Sequence, residues 1–418
     1  MSNYILTVNG GSSSVKFALF AGKQVCVDEA DSKGSLQRQL SGQIERIGLP
    51  NAAIKLKDAA GKQIEARELQ VADHQQAAAE LIQTLNQQGV LNSLAAIGHR
   101  IVHGGPNYLQ HAPITAEMLA ELRRIAPIDH EHLPGELALI EVLSNQLPDT
   151  LQVACFDTAF HRDLPPVAKT LPIPQKYAAA GLRRFGFHGL SFAYLMKRLQ
   201  EEEKSARAAK PQAAGDDGQS KLGKVILAHL GNGCSMAAVK DGKCIDTTMG
   251  FTPTAGLVMG TRSGSLDPGA LVYLMRQEKM DANQIDQMVN RQSGLLGVSG
   301  KSSDMRDLLA AQATDANAAL TVDLFCYEAA KWIGALAVAL EGLDVLVFAG
   351  GIGENAAEVR EKICRKLYHL NVIIDPARNS AGCGVISSDA SRVAVQVIQT
   401  DEELMIAHIV KNHLVRAG

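Results

Sequence analysis

The sequence predicts an α/β protein made of two related halves. Two observations carry this. A strand, a loop of Gly with Ser or Asn, and a second strand occur near the start and again about half a chain later. A strand, a glycine turn and a helix then follow in the last quarter. With 418 residues, the chain has room for two or three domains at ~150 residues each.

Composition sets the outer bounds. The chain is 46% hydrophobic and 20% charged, enough to build large cores, which excludes a disordered or collagen-like chain. Lys and Arg total 41 against 44 Asp and Glu, a net charge of -3, so no global electrostatic argument favours nucleic acid or an anionic membrane, and neither is expected as a partner. Seven scattered cysteines without a C-x-x-C pair read as reduced, mostly buried thiols of a cytoplasmic protein. The opening MSNYILTVNGG lacks a basic region and a long apolar stretch, so no signal peptide is expected. Trp332–Leu340, the longest apolar segment, is too short to span a bilayer.

Taken in order, Tyr4–Val8 and Val15–Phe20 are apolar strands around Asn9-Gly10-Gly11-Ser12-Ser13-Ser14, a hairpin whose loop offers N–H groups and hydroxyls to an anion, with Lys16 nearby. A plain turn is the alternative reading of that loop. Val225–Leu230, Gly231-Asn232-Gly233-Cys234-Ser235 and Met236–Val239 repeat the pattern. Glu328–Leu343 has apolar residues at helical spacing, Asp344–Phe348 reads as a buried strand, Ala349–Asn355 as a glycine turn and Ala356–Leu370 as a charged helix. No G-x-x-x-x-G-K-[ST] loop is present. Residues 201–223 are Ala-, Glu-, Gln- and Gly-rich with no apolar face, and read as a solvated insertion after the helix His188–Gln200.

Chemistry concentrates at strand ends and glycine-flanked loops. Arg100 lies in the apolar strand Ile97–Gly105, where a buried guanidinium needs an anionic partner, either a ligand or an internal carboxylate. Asp157 ends the strand Val153–Phe156, His188 sits between Phe187 and Gly189, and Arg262 lies in the loop Met259–Gly264. Arginines, histidines, a strand-end carboxylate and glycine loops are the equipment of phosphoryl transfer, in which the protein positions anions and neutralises charge.

Seven motifs, in order from end to end, resemble the acetate kinase family: Val8–Lys16, Gly98–Gly105, Phe156–His161, Arg184–Gly189, His229–Gly233, Met249–Pro253 through Gly260–Gly264, and Gly350–Asn355. The resemblance implies two duplicated ribonuclease-H-like (actin-like ATPase) α/β domains with an active-site cleft between them. Residues 1–157 with 386–418 would form the N-terminal domain, and 158–385 the other, carrying the insertion. It also implies Mg²⁺-dependent, direct in-line transfer of phosphoryl from ATP to acetate, with Mn²⁺ as a substitute metal, and a homodimer. The amphipathic segment Glu402–Arg416 could pack internally or at the dimer interface.

Site roles follow from the same resemblance. Asn9 and Glu402 would hold the metal. Lys16 and the loop His229, Leu230, Gly231, Asn232 and Gly233 would meet the ATP phosphates. Asp304, Met305 and Arg306 would line the nucleotide site, with Gly351, Ile352, Gly353, Glu354 and Asn355 near the adenosine. Arg100 and Arg262 would bind the substrate carboxylate and the transferring phosphoryl group, and His188 would stabilise the transition state. Val102, Phe187 and Pro253 would form the methyl pocket. Acetate is ionised far above a carboxyl pKa of ~4, so Asp157 is expected to orient Arg100 or a metal-bound water rather than act as a base.

One motif departs from the family. Its Ala-Pro-Leu-His-Asn-Pro reads here as Ala126-Pro127-Ile128-Asp129-His130-Glu131-His132-Leu133-Pro134. The downstream proline selects His132 as the site histidine, and the upstream Ala-Pro selects His130. Glu131 or Asp129 then replaces an apolar pocket residue, which leaves open a propionate or short-chain acyl kinase of the same mechanism. An ATP-driven binding protein of the Hsp70/actin type is the alternative from another class.

Overall fold

The computed structural model describes residues 4–22, 36–208 and 222–417. They form two compact units, residues 1–159 with 401–418, and residues 160–400.

The strands of the first unit are β1 (Tyr4–Gly10), β2 (Ser14–Ala21), β3 (Gln37–Glu45), β4 (Ala52–Asp58), β5 (Gln63–Leu69), β6 (Leu94–Ile101), β7 (Ala112–Pro113) and β8 (Leu151–Phe156). They make one sheet in the order β5-β4-β3-β2-β1-β6-β8-β7. The strands of the second unit are β9 (Lys224–Leu230), β10 (Cys234–Lys240), β11 (Lys243–Thr247), β12 (Val345–Ala349), β13 (Gly384–Val385) and β14 (Ala394–Val397), in the order β11-β10-β9-β12-β14-β13.

The two sheets follow the same strand pattern. In the first, β3-β2-β1 is an antiparallel meander, and β6 and β8 add in parallel beside β1. In the second, β11-β10-β9 is the same meander, and β12 and β14 add in parallel beside β9. The two hairpins seen in the sequence are β1–β2 and β9–β10. Each opens a ribonuclease-H-like sheet, as a duplication requires.

Helices bury the sheet faces. Ala77, Leu81 and Leu85 of helix His74–Gln87 and Leu139 and Leu143 of helix Leu133–Gln146 join Val8, Phe17 and Ile54 in the first core. The C-terminal helix Glu402–Ala417 packs internally against β1 and β6, with Ile406 and Val410 buried. Its approach depends on Gly98: a Cβ there would fall 2.4 Å from Ile406 Cγ2. In the second unit Phe192, Leu195, Met196 and Leu199 of helix Gly189–Ala208 pack on Val225 and Leu227 of β9.

Three expectations change. The second domain boundary lies at Asp401 rather than at 386, because β14 pairs in parallel with β12 and belongs to the second sheet. The helix expected to stop at Gln200 runs on to Ala208, so the first eight residues of the expected insertion are helical; residues 209–221 lie outside the described residues. The glycine segment after β12 is itself a short helix, Gly350–Asn355, followed by helix Ala357–Lys366. The strand-to-helix corner falls on Gly350, with φ +76°, where a Cβ would lie 2.8 Å from the Leu230 carbonyl oxygen.

Among the described residues six cysteines are unpaired, five of them buried and Cys383 exposed; Cys26 lies outside the described residues. No described helix is long and apolar enough to cross a membrane.

Candidate active site

In the first unit the chemistry gathers at the ends of β1, β6 and β8. Arg100, near the end of β6, reaches Asp157, the residue after β8: Nε and Nη2 both donate to Asp157 Oδ2, at 3.0 and 2.7 Å. Nη1 donates to the Gly10 carbonyl at 3.0 Å and to Glu136 Oε1 at 3.4 Å. Four of the five N–H groups are therefore engaged, and one on Nη2 is left for a ligand oxygen. Burial opposes the arginine's charge, but Asp157, Glu136 and Glu402 outweigh it, and its pKa is raised.

Glu136 is the residue that motif reading missed. It is 2% exposed, and its Oε2 accepts from the Val102 backbone N–H at 3.0 Å. Burial, opposed by Arg100 and that N–H, pushes its pKa up to about 8. Its signal was present: Glu136 shares one helix face with Leu133, Leu137 and Ile140, all buried. Val102 itself is 2% exposed.

The divergent motif also has a defined geometry. Asp129 is buried, and its Oδ1 accepts from the His132 backbone N–H at 3.0 Å and lies 2.9 Å from the ring Nδ1. The ring of His132 is thereby held half-tucked, while His130 is exposed. Burial raises the Asp129 pKa, but His132 outweighs it and the net shift is downward.

Asn9, at the end of β1, donates from Nδ2 to Glu402 Oε2 at 3.2 Å. Burial raises the Glu402 pKa against the pull of Arg100. Lys16 pairs with Asn9 across the hairpin and is exposed. Among the described residues no group of three His, Cys, Asp or Glu could hold a metal. Mg²⁺ commonly takes one or two carboxylates and completes its shell with water and substrate phosphates. A carboxylate hydrogen-bonded to a side-chain amide, whose oxygen is its other polar atom, fits a metal of that kind.

In the second unit His188 has φ +57°, a left-handed conformation disfavoured for a residue with a side chain. The preceding carbonyl, of Phe187, accepts from His161 Nε2 at 2.9 Å, and Arg184 Nη1 ties the segment to the Thr247 carbonyl at 2.7 Å. His188 Nδ1 lies 2.8 Å from Ser235 Oγ, and its ring stacks on His229 with centroids 4.4 Å apart. His229 Nδ1 lies 2.9 Å from Ser191 Oγ, which also meets Thr400 Oγ1 at 2.7 Å. A Cβ on Gly233 would sit 3.3 Å from His188 Nε2 and 3.7 Å from Arg262 Nη1, so both groups converge on the glycine loop. Arg262 also donates to the Pro253 carbonyl at 3.4 Å.

The other expected nucleotide residues divide by what their side chains do. Leu230 and Met305 are buried in the core, which leaves only their backbones for a ligand. Phe187 is likewise 1% exposed. Asn232 and Gly351 are exposed, and Ile352 is partly so. Asn355 donates to the Gly351 carbonyl at 2.9 Å. Glu354 Oε1 accepts from the N–H groups of Gly350 and Thr400, at 2.9 and 3.1 Å, so it shapes the segment. The carbonyls of Gly353 and Glu354 accept from the buried Arg360, another residue that motif reading missed. Asp304 caps helix Met305–Ala311 and pairs with the exposed Arg306.

Paired ribonuclease-H-like sheets, each with a glycine-loop hairpin and an arginine, define a phosphoryl-handling protein of the actin-like ATPase class. The comparisons narrow this. Residues 4–408 match the model of the Acetokinase family. The chain is 42% identical over 415 residues to a propionate kinase of Citrobacter rodentium, covering 97% of this chain and 96% of that one. It is 41% identical over 414 residues to an acetate kinase of Rhodopseudomonas palustris, covering 97% of each. Among solved structures, a propionate kinase from Francisella tularensis superposes with a TM-score of 0.85 at 36% identity, covering 97% of this chain and 98% of that one. Porphyromonas gingivalis acetate kinase superposes with a TM-score of 0.83 at 35% identity, covering 99% and 100%. The chain belongs to the acetokinase family.

Proposed function

We propose that the protein is an acetate kinase, a phosphotransferase with a carboxyl acceptor that interconverts ATP and acetate with ADP and acetyl phosphate. The observation that carries this is the family match over residues 4–408 together with close identity to enzymes of that name. The geometry agrees with it: Arg262 and His188 converge on a glycine loop, and Arg100 keeps one N–H for a ligand oxygen.

Arg262 would neutralise charge on the transferring group, His188 would donate a hydrogen bond to it, and Arg100 would hold the acyl carboxylate. Asp157 would orient Arg100. Asn9 and Glu402 would hold Mg²⁺, which would supply positive charge to offset that of the phosphates; Mn²⁺ would substitute. His132, fixed by Asp129, is the better candidate for the site histidine than the exposed His130.

A homodimer fits the second unit. Helices Pro268–Gln277 and Ala282–Arg291 bury none of their side chains, and Val272, Tyr273 and Met275 are exposed. A second copy covering that face would bury them, and sedimentation at micromolar concentration tests it. A cytoplasmic location is the expectation for unpaired cysteines.

Propionate is the second reading, favoured by the Citrobacter relative and by the altered motif at 126–134. Acetyl hydroxamate formation with ATP, acetate and Mg²⁺ tests the activity. The ratio of kcat/KM for acetate and propionate then separates the two, a methylene being worth ~1–3 kcal/mol. ATP turnover indifferent to either acid would defeat both.

A further inference from the structure

Ser235 lies in β10 and is fully buried. Its Oγ is 2.8 Å from His188 Nδ1, the one hydrogen bond of that hydroxyl among the described residues. A hydroxyl carries one hydrogen, and a buried donor without an acceptor is costly. The imidazole nitrogen is the acceptor on offer, so Oγ–H donates to Nδ1. An accepting Nδ1 carries no proton, which places the ring's proton on Nε2.

We propose that Ser235 is a positioning residue that fixes His188 as the neutral Nε2–H tautomer and aims this N–H at the glycine loop, where a transferring phosphoryl group would lie. The aim is visible in the geometry: Nε2 and Arg262 Nη1 lie 3.3 and 3.7 Å from the position a Gly233 Cβ would take. Three further restraints hold the ring. The left-handed backbone of His188 sets its direction, His161 anchors the preceding carbonyl, and His229 stacks on its face. With Arg262 beside the loop and a second imidazole stacked at 4.4 Å, a neutral directed donor avoids placing another cation against them. Arg262 supplies charge and His188 supplies direction. The catalytic part of this inference rests on the proposed phosphoryl transfer; the tautomer does not.

The test uses the full chain labelled with ¹⁵N-histidine. Long-range ¹H–¹⁵N spectra near neutral pH report the tautomer, with the His188 signals assigned by their loss in H188Q. The expected pattern is a protonated Nε2 and an unprotonated Nδ1. A protonated Nδ1, alone or in an imidazolium, overturns the proposal. In Ser235→Ala, kcat should fall about 10- to 100-fold through misorientation while KM for ATP and acetate stays within about twofold. A kcat equal to that of the unaltered chain overturns the positioning role. If Ser235→Ala does not fold, Ser235→Cys keeps a weaker donor and should give an intermediate kcat. The expected tautomer in a protein without kinase activity would uphold the Ser235 assignment and defeat the activity instead.

Discussion

Arg100 grips Asp157 through a single oxygen: Nε and Nη2 both reach Oδ2, at 3.0 and 2.7 Å. Asp157 is 1% exposed, so the pair forms out of water and fixes the plane of the guanidinium. This geometry suits orientation better than proton abstraction. Asp157→Asn should lower kcat by about 10²-fold through positioning alone. The pH profile of kcat should keep its shape in the variant. A limb that tracks a carboxyl titration and vanishes in Asp157→Asn would show a base instead.

The two arginines should differ in what their loss does. Arg262→Ala removes charge from the glycine loop and should lower kcat by about 10²–10³-fold. Arg100→Ala should lower kcat and also raise the acetate KM, since one Nη2 N–H remains for a substrate oxygen. That single N–H also limits the effect on KM, because two-pronged pairing with a carboxylate would need Glu136 or Asp157 to let go. Steady-state kinetics of folded variants decides it, and a normal kcat in either removes that arginine from the mechanism.

Glu136 makes stability depend on pH in a definite direction. Its folded pKa, about 8, lies above that of an exposed glutamate, so the folded state binds the extra proton between those values. Stability should therefore fall as pH rises from about 4.5 towards 8. Glu136→Gln removes this titration. The fall in melting temperature between pH 5 and pH 8.5 should be smaller in the variant, as differential scanning fluorimetry would show. Parallel curves would mean that Glu136 is ionised throughout.

The hairpins and the repeat were legible because alternating apolar strands and glycine loops are local signals. The boundary at Asp401 was not. Ala394–Val397 has a strand's alternation, but nothing in four residues says which sheet it joins. Motif matching found the segments Leu230, Met305 and Glu354 belong to, yet it could not say that two of those side chains are core and the third is tied to backbone. Ser235 reads in the sequence as the last residue of a Gly/Asn/Ser loop, whereas it is a buried residue of β10, and nothing local says that its hydroxyl meets His188. Its role appears only once β10 is set beside His188.

His161 is where the strain of the site can be tested. Its Nε2–H donates to the Phe187 carbonyl at 2.9 Å, and its Nδ1 lies 3.2 Å from Cys244 Sγ, whose thiol also reaches the Asp246 carbonyl at 3.4 Å. Burial lowers the His161 pKa to about 4, keeping the ring neutral in that role. The contact holds two adjacent left-handed corners, Gly186 at φ +74° and His188 at φ +57°. His161→Ala would leave the buried carbonyl without its donor and open a cavity, at a cost of about 2–4 kcal/mol in stability. It should also lower kcat by about tenfold or more with little change in the ATP KM, because His188 would be free to relax from its strained backbone. The pH dependence supplies a second reading. A histidine whose folded pKa is depressed stabilises the fold above its unfolded value, ~6.5, and that contribution disappears as pH falls towards 4. The variant should lose less stability than the unaltered chain over that interval. Gly186→Ala attacks the same corner from the other side, since its Cβ would lie 2.6 Å from the His161 ring, and should be the more damaging change. A His161→Ala protein with normal kcat would show that the backbone at His188 holds itself.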